Sequence, residues 1–121
     1  MKTILIIDDN KNFLENFSEF FEIEGYKTLI STNGKDGVKL AQEFKPDLII
    51  CDVLMPEMTG HQVLNTLLAS SDKFDIPFIF STSLSENIDR IETLKLGADD
   101  YLVKPYGLEV LLSMAEKWIQ K

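Results

Sequence analysis

The sequence predicts an α/β doubly wound domain, a five-stranded parallel sheet with five helices spread over both faces. Three observations carry that prediction. Five short apolar runs of about strand length alternate with longer stretches whose apolar residues recur every three or four positions. The runs are rich in Ile, Leu, Phe and Val, as strands buried on both faces are. Polar residues follow several of the runs, and in a parallel sheet those strand ends share one edge, where ligands bind.

The first run is TILII at 3–7, followed by Asp8 and Asp9. Phe13, Leu14, Phe17, Phe20 and Phe21 then recur at helical spacing, which predicts a helix over about 11–24 with an aromatic stripe in the core. KTLIS at 27–31 reads as the second strand. Val38, Leu40 and Ala41 mark a second helix over about 35–44, closed by Pro46, which cannot continue it. DLIIC at 47–51 is the third strand and stops abruptly at Asp52. Val63, Leu64, Leu67 and Leu68 mark the third helix, and PFIFS at 77–81, followed by Thr82, is the fourth strand. Ile88, Ile91 and Leu94 mark the fourth helix, with Gly97 in the glycine position after a helix end. DYLV at 100–103 is the fifth strand, followed by Lys104, and Leu108, Leu111, Leu112, Ala115, Trp118 and Ile119 mark the last helix. With no repeat, low-complexity stretch or linker, residues 1–121 are expected to form one domain.

Composition excludes several functions. The chain carries 20 Asp and Glu against 12 Lys and Arg, with no basic cluster to track a phosphate backbone, so direct nucleic-acid binding is not expected. No apolar stretch approaches the roughly 20 residues of a membrane span. The start MKTILIID is too short and too soon acidic for a signal peptide, so a cytoplasmic location is the expectation. The lone Cys51 lies inside an apolar run and reads as a small buried hydrophobe rather than a reactive thiol.

Singly, each polar residue at the strand ends has a plain structural role. Asp8, Asp9 or Asn10 would cap the first helix, and Thr82, Ser83 or Ser85 the fourth. Asp52 would be a turn residue and Lys104 a surface lysine. Together, three carboxylates, a hydroxyl and an ammonium at one sheet edge exceed what capping requires. Three carboxylates in one crevice repel one another unless a cation joins them, and hard oxygen donors suit Mg²⁺. A phosphoryl group is then held by the cation, the Lys104 ammonium and the Thr82 hydroxyl while one carboxylate attacks phosphorus in line. Asp52 stands on the central strand and is the candidate nucleophile.

Four motifs in order, DD at 8–9, DVLMPEMTG at 52–60, PFIFST at 77–82 and GADDYLVKP at 97–105, resemble the receiver domains of two-component response regulators over essentially the whole chain. The resemblance implies a CheY-like strand order 2-1-3-4-5 and a phosphorylation switch rather than an enzyme with external turnover. It implies Asp52 as the phosphorylated residue. Asp9 would be a direct Mg²⁺ ligand, Asp8 a ligand mainly through water, and Leu54 a ligand through its backbone carbonyl. Thr82 resembles the switch hydroxyl, Lys104 the phosphate-pairing lysine with a cis bond to Pro105, and Tyr101 the aromatic that turns inward on activation. The implied donor is a histidine kinase or histidine phosphotransfer protein. An output domain, an effector or a second copy of the chain would read the face made by the fourth helix, fifth strand and fifth helix.

Some positions depart from the family pattern. Ser83 replaces a small Ala or Gly, leaving Ser81, Thr82 and Ser83 in a row, Tyr106 replaces a common Phe, and Gly107 stands where Asp or Ser often caps the last helix. The residues two beyond the acceptor and two beyond the threonine, which in the family flank the path of the hydrolytic water, are Leu54 and Leu84, and their bulk predicts slow self-dephosphorylation. The only histidine, His61, reads as a solvated side chain away from the acceptor. Two other readings are disfavoured. A haloacid-dehalogenase-type phosphatase needs a second Asp where Leu54 stands, and a receiver-like fold that binds partners without phosphorylation would not keep the acid set intact.

Overall fold

A computed structural model describes residues 1–70, 74–83 and 96–119. Five strands, β1 (Thr3–Ile7), β2 (Lys27–Ser31), β3 (Leu48–Asp52), β4 (Phe78–Thr82) and β5 (Asp100–Val103), pair in parallel in the order β2-β1-β3-β4-β5. Four helices lie among the described residues: α1 (Lys11–Ile23), α2 (Gly34–Phe44), α3 (Gly60–Ser70) and α4 (Leu108–Ile119). The predicted helix marked by Ile88, Ile91 and Leu94 lies outside the described residues; Gly97, predicted to follow it, has φ of +107°, a conformation that suits glycine.

The strands begin and end for local reasons. The expected third strand, 47–51, is displaced by one residue because Asp47 is used otherwise: its Oδ2 accepts the Thr3 N–H at 2.8 Å, while Asp52 stays in the ladder opposite Ser81. β4 is displaced likewise, since Pro77 has no N–H to give a ladder and contributes only its carbonyl, which accepts from Ile49 at 3.0 Å. Asn10 caps α1, its Oδ1 accepting the Phe13 N–H at 3.1 Å. A reciprocal pair, Thr59 N–H to Gln62 Oε1 and Gln62 N–H to Thr59 Oγ1, starts α3.

Each sheet face carries its own core. On one, Leu5, Ile49, Cys51, Phe78 and Phe80 pack against Val38 and Ala41 of α2 and Val63, Leu64 and Leu67 of α3. On the other, Ile4, Ile6, Ile50 and Ile79 meet Leu14, Phe17 and Phe21 of α1 and Leu111, Ala115 and Ile119 of α4. The aromatic stripe is core, as its spacing predicts, with Phe17 and Phe21 stacked at 4.4 Å. β3, buried at all five positions, carries Asp52 from the middle of the sheet to its carboxyl edge. No helix among the described residues is long and apolar enough to cross a membrane.

Candidate functional site

Side chains alternate along a strand, so Asp8 continues the face of Ile4 and Ile6, Asp52 that of Ile50, and Ser81 that of Ile79. These residues therefore emerge together above the α1 and α4 core. One carboxylate oxygen from each of Asp8, Asp9 and Asp52 lies within 4.8 Å of the others. Asp8 is buried at 1% exposure, Asp52 at 7%, and Asp9 is exposed. The three predicted acids are thus gathered at one point.

Lys104 reaches the same point. Its Nζ is 2.7 Å from Asp8 Oδ2 and 3.9 Å from Asp52 Oδ2, so the ammonium is bonded to Asp8 and only near Asp52. The other oxygen of Asp8, Oδ1, accepts the Asn10 N–H at 2.9 Å, which orients the carboxylate while Asn10 itself caps the helix. The Lys104–Pro105 bond is cis, as expected, and the Lys104 N–H donates to the Thr82 carbonyl at 2.6 Å. Burial raises the Asp52 carboxyl from 3.8 to about 6; Lys104 opposes that rise, and the charges of Asp8 and Asp9 add to it. Burial likewise pushes the Cys51 thiol well up, in keeping with an inert residue.

Of the three consecutive hydroxyls, Ser81 is spent on Tyr106, with the two oxygens 2.6 Å apart, and Ser83 is exposed. Thr82 is buried at the very end of β4. Tyr101 pairs with Phe80 in register and is half-buried against the α2 and α3 core. Leu54 is 52% exposed in the loop after β3, and Leu84 lies outside the described residues.

Several contributors escaped the sequence reading. A Cβ on Gly60 would come within 2.3 Å of the Asp52 carbonyl oxygen, and the Gly60 N–H donates to Val53 at 2.9 Å. The start of α3 is thereby pressed against the end of β3 and the loop after it, which only a residue without a side chain permits. That approach also corrects the expectation for His61, which is half-buried with its ring edge-on to Phe80 at 5.0 Å rather than solvated. The terminal glycine of DVLMPEMTG was the available signal for it. Phe13, assigned only to the core stripe, lies with its ring centroid 4.9 Å from Lys104 Nζ. A cavity of about 1000 Å³ beside Lys2, Lys45 and Trp118 is lined by none of these site residues.

The donor set fits a hard divalent cation: three carboxylates gathered at a partly open edge, with no nitrogen or sulfur ligand among them. The family described as the response regulator receiver domain matches residues 4–116. The chain belongs to that family. Response regulator SaeR of Staphylococcus aureus is 37% identical over 107 residues, which are 88% of this chain and 46% of that protein. The chain thus spans about half the length of that relative. The signal receiver domain of a signal transduction histidine kinase from Syntrophus aciditrophicus is 37% identical, with a TM-score of 0.87 over 99% of this chain and 91% of that one. The receiver domain of sensor histidine kinase PA1611 from Pseudomonas aeruginosa, 25% identical with a TM-score of 0.88 over 99% and 98% of the two chains, holds a magnesium ion in its active-site cleft. This receiver is therefore a module of two-component signalling.

Proposed function

We propose that this receiver is a cytoplasmic switch in which Asp52 takes a phosphoryl group from a phosphohistidine on a histidine kinase or histidine phosphotransfer protein. The reading rests on one observation, the gathering of three carboxylate oxygens within 4.8 Å around a buried Asp52. An Asp52 oxygen bonds to phosphorus as the bond from phosphorus to the donor nitrogen breaks, and the departing imidazole keeps that electron pair. Asp8, Asp9 and Asp52, with the Leu54 carbonyl, would hold Mg²⁺. When bound, it supplies charge neutralisation and orients the phosphoryl oxygens. Lys104 leaves Asp8 for the phosphoryl oxygens, Thr82 donates its hydroxyl to them, and Tyr101 moves inward behind it. The changed face of β5, α4 and the segment preceding β5 is read by an output domain, an effector or a second copy of the chain.

The test is labelling by acetyl phosphate with Mg²⁺, read by intact mass. The wild type should gain one phosphoryl group and Asp52→Asn none, and equal labelling of the two would refute the assignment. Beryllofluoride with Mg²⁺ should shift amide resonances over 96–110 as well as around Asp52. A response confined to the acceptor loop would remove the switch from the proposal.

A further inference from the structure

Lys104 is held by more than its carboxylates. The backbone turns back at Pro105 so that Tyr106 reaches β4, where its hydroxyl lies 2.6 Å from Ser81 Oγ. Ser81 is the β4 residue paired with Asp52 in the sheet register. The Tyr106 ring also stands edge-on to Phe13, with centroids 6.3 Å apart and planes at 85°, and the face of Phe13 receives the Lys104 ammonium. Lys104 Nζ thus sits between an anionic side, Asp8 and Asp52, and an aromatic side braced by Tyr106.

We propose that Tyr106 is a positioning residue for Lys104, its hydroxyl anchored on Ser81 and its ring bracing Phe13 so that the ammonium stays aimed at the Asp8 and Asp52 carboxylates. Resting on Asp52 as the phosphoryl acceptor, this reading makes the Ser81–Tyr106 pair a matched unit. Ser81 is 1% exposed, so either hydroxyl left alone loses a partner in a place that water reaches poorly. Losing both at once leaves neither orphaned. A lysine carried on a four-carbon stem has many rotamers, and holding one of them shortens the search for the phosphoryl oxygens. The two hydroxyls are engaged with each other, and the pair acts through Lys104.

Two measurements decide it. Tyr106→Phe removes a single oxygen, and acetyl phosphate labelling should slow about three- to tenfold. In a Lys104→Ala background the same change should have no further effect, and Ser81→Ala combined with Tyr106→Phe should be no slower than either alone. The second measurement needs no phosphoryl transfer: limited acylation of the lysines by an amine-reactive ester, read peptide by peptide. Lys104 should acylate about three- to tenfold faster in Tyr106→Phe, with Lys2 and Lys39 as unchanged internal references. Unchanged Lys104 acylation, or equal slowing of labelling with and without Lys104, would overturn the proposal. If the wild type takes no label at all, the Asp52 assignment fails, and the acylation ratio still decides whether Tyr106 positions Lys104.

Discussion

Replacing Asp52 by Asn should stabilise the metal-free protein. The side chain is 10% exposed, and its carboxyl is raised from 3.8 to about 6, first by burial and then by the neighbouring acids. Two pK units correspond to about 3 kcal/mol. The sign follows from proton linkage: the folded form holds the proton more tightly than the unfolded chain, so ionised Asp52 costs stability. That cost is full above the folded value near 6, shrinks as pH falls toward 3.8, and vanishes below it. Asn keeps the shape without the charge, so at about pH 7.5 in EDTA the variant should gain about 2–3 kcal/mol. At roughly 3–5 °C per kcal/mol for a domain of this size, the melting temperature should rise on the order of 10 °C. Near pH 4.5 about two thirds of the gain should be gone, and saturating Mg²⁺ should narrow it from the other side by binding the wild type. Urea unfolding at the two pH values measures both numbers. A variant no more stable than wild type at pH 7.5, or one whose gain is the same at pH 4.5, would show that the charge at Asp52 is not under strain.

Asp9→Ala removes a proposed cation ligand and one source of repulsion, so Mg²⁺ affinity by calorimetric titration should fall while stability without metal holds level or rises. Gly60→Ala forces a methyl to within 2.3 Å of the Asp52 carbonyl oxygen, and the loop after β3 must shift; a loss of about 1–3 kcal/mol with slower labelling is expected, and chemical denaturation checks it. The Leu54 side chain, half-exposed two residues beyond Asp52, offers no hydrogen bond to an incoming water. Leu54→Asn should speed phosphate release roughly five- to thirtyfold, equivalent to 1–2 kcal/mol of barrier, as followed after removal of the donor.

The alternation of Ile4, Ile6 and Asp8, or of Ile50 and Asp52, is written in the spacing alone, so the sheet and its gathered acids were legible. Strand ends were less so, because the displacement of β3 depends on Asp47 reaching Thr3 across 44 positions of sequence. The capping question for Asp8, Asp9 and Asn10 was open for a related reason: only geometry shows that Asn10 takes the cap and that Asp8 divides its two oxygens between the Asn10 amide and Lys104. Periodicity also treats every aromatic of a stripe alike. Phe13 obeys the core spacing of Phe17 and Phe21, yet it lies in the first turn of α1, where its ring meets an ammonium. The row Ser81, Thr82, Ser83 gives no sign that Ser81 meets Tyr106, which approaches from 25 positions away. The half-burial of His61 is not legible in the sequence, because the closeness of α3 to β3 depends on what Gly60 lacks.

The ion pair between Lys104 and Asp8 leaves a formal imbalance at the sheet edge, three carboxylates against one ammonium, an excess of two negative charges. On the proposed reading a dication would cancel that excess, and conversion of Asp52 from a monoanion to an acyl phosphate would restore part of it. Cation and phosphoryl group would then be thermodynamic partners, each raising the affinity of the protein for the other by the same factor. On that reading, a fall in free divalent cation would leave this sheet edge electrostatically repellent to every anionic phosphodonor, whatever signal had been sent to it.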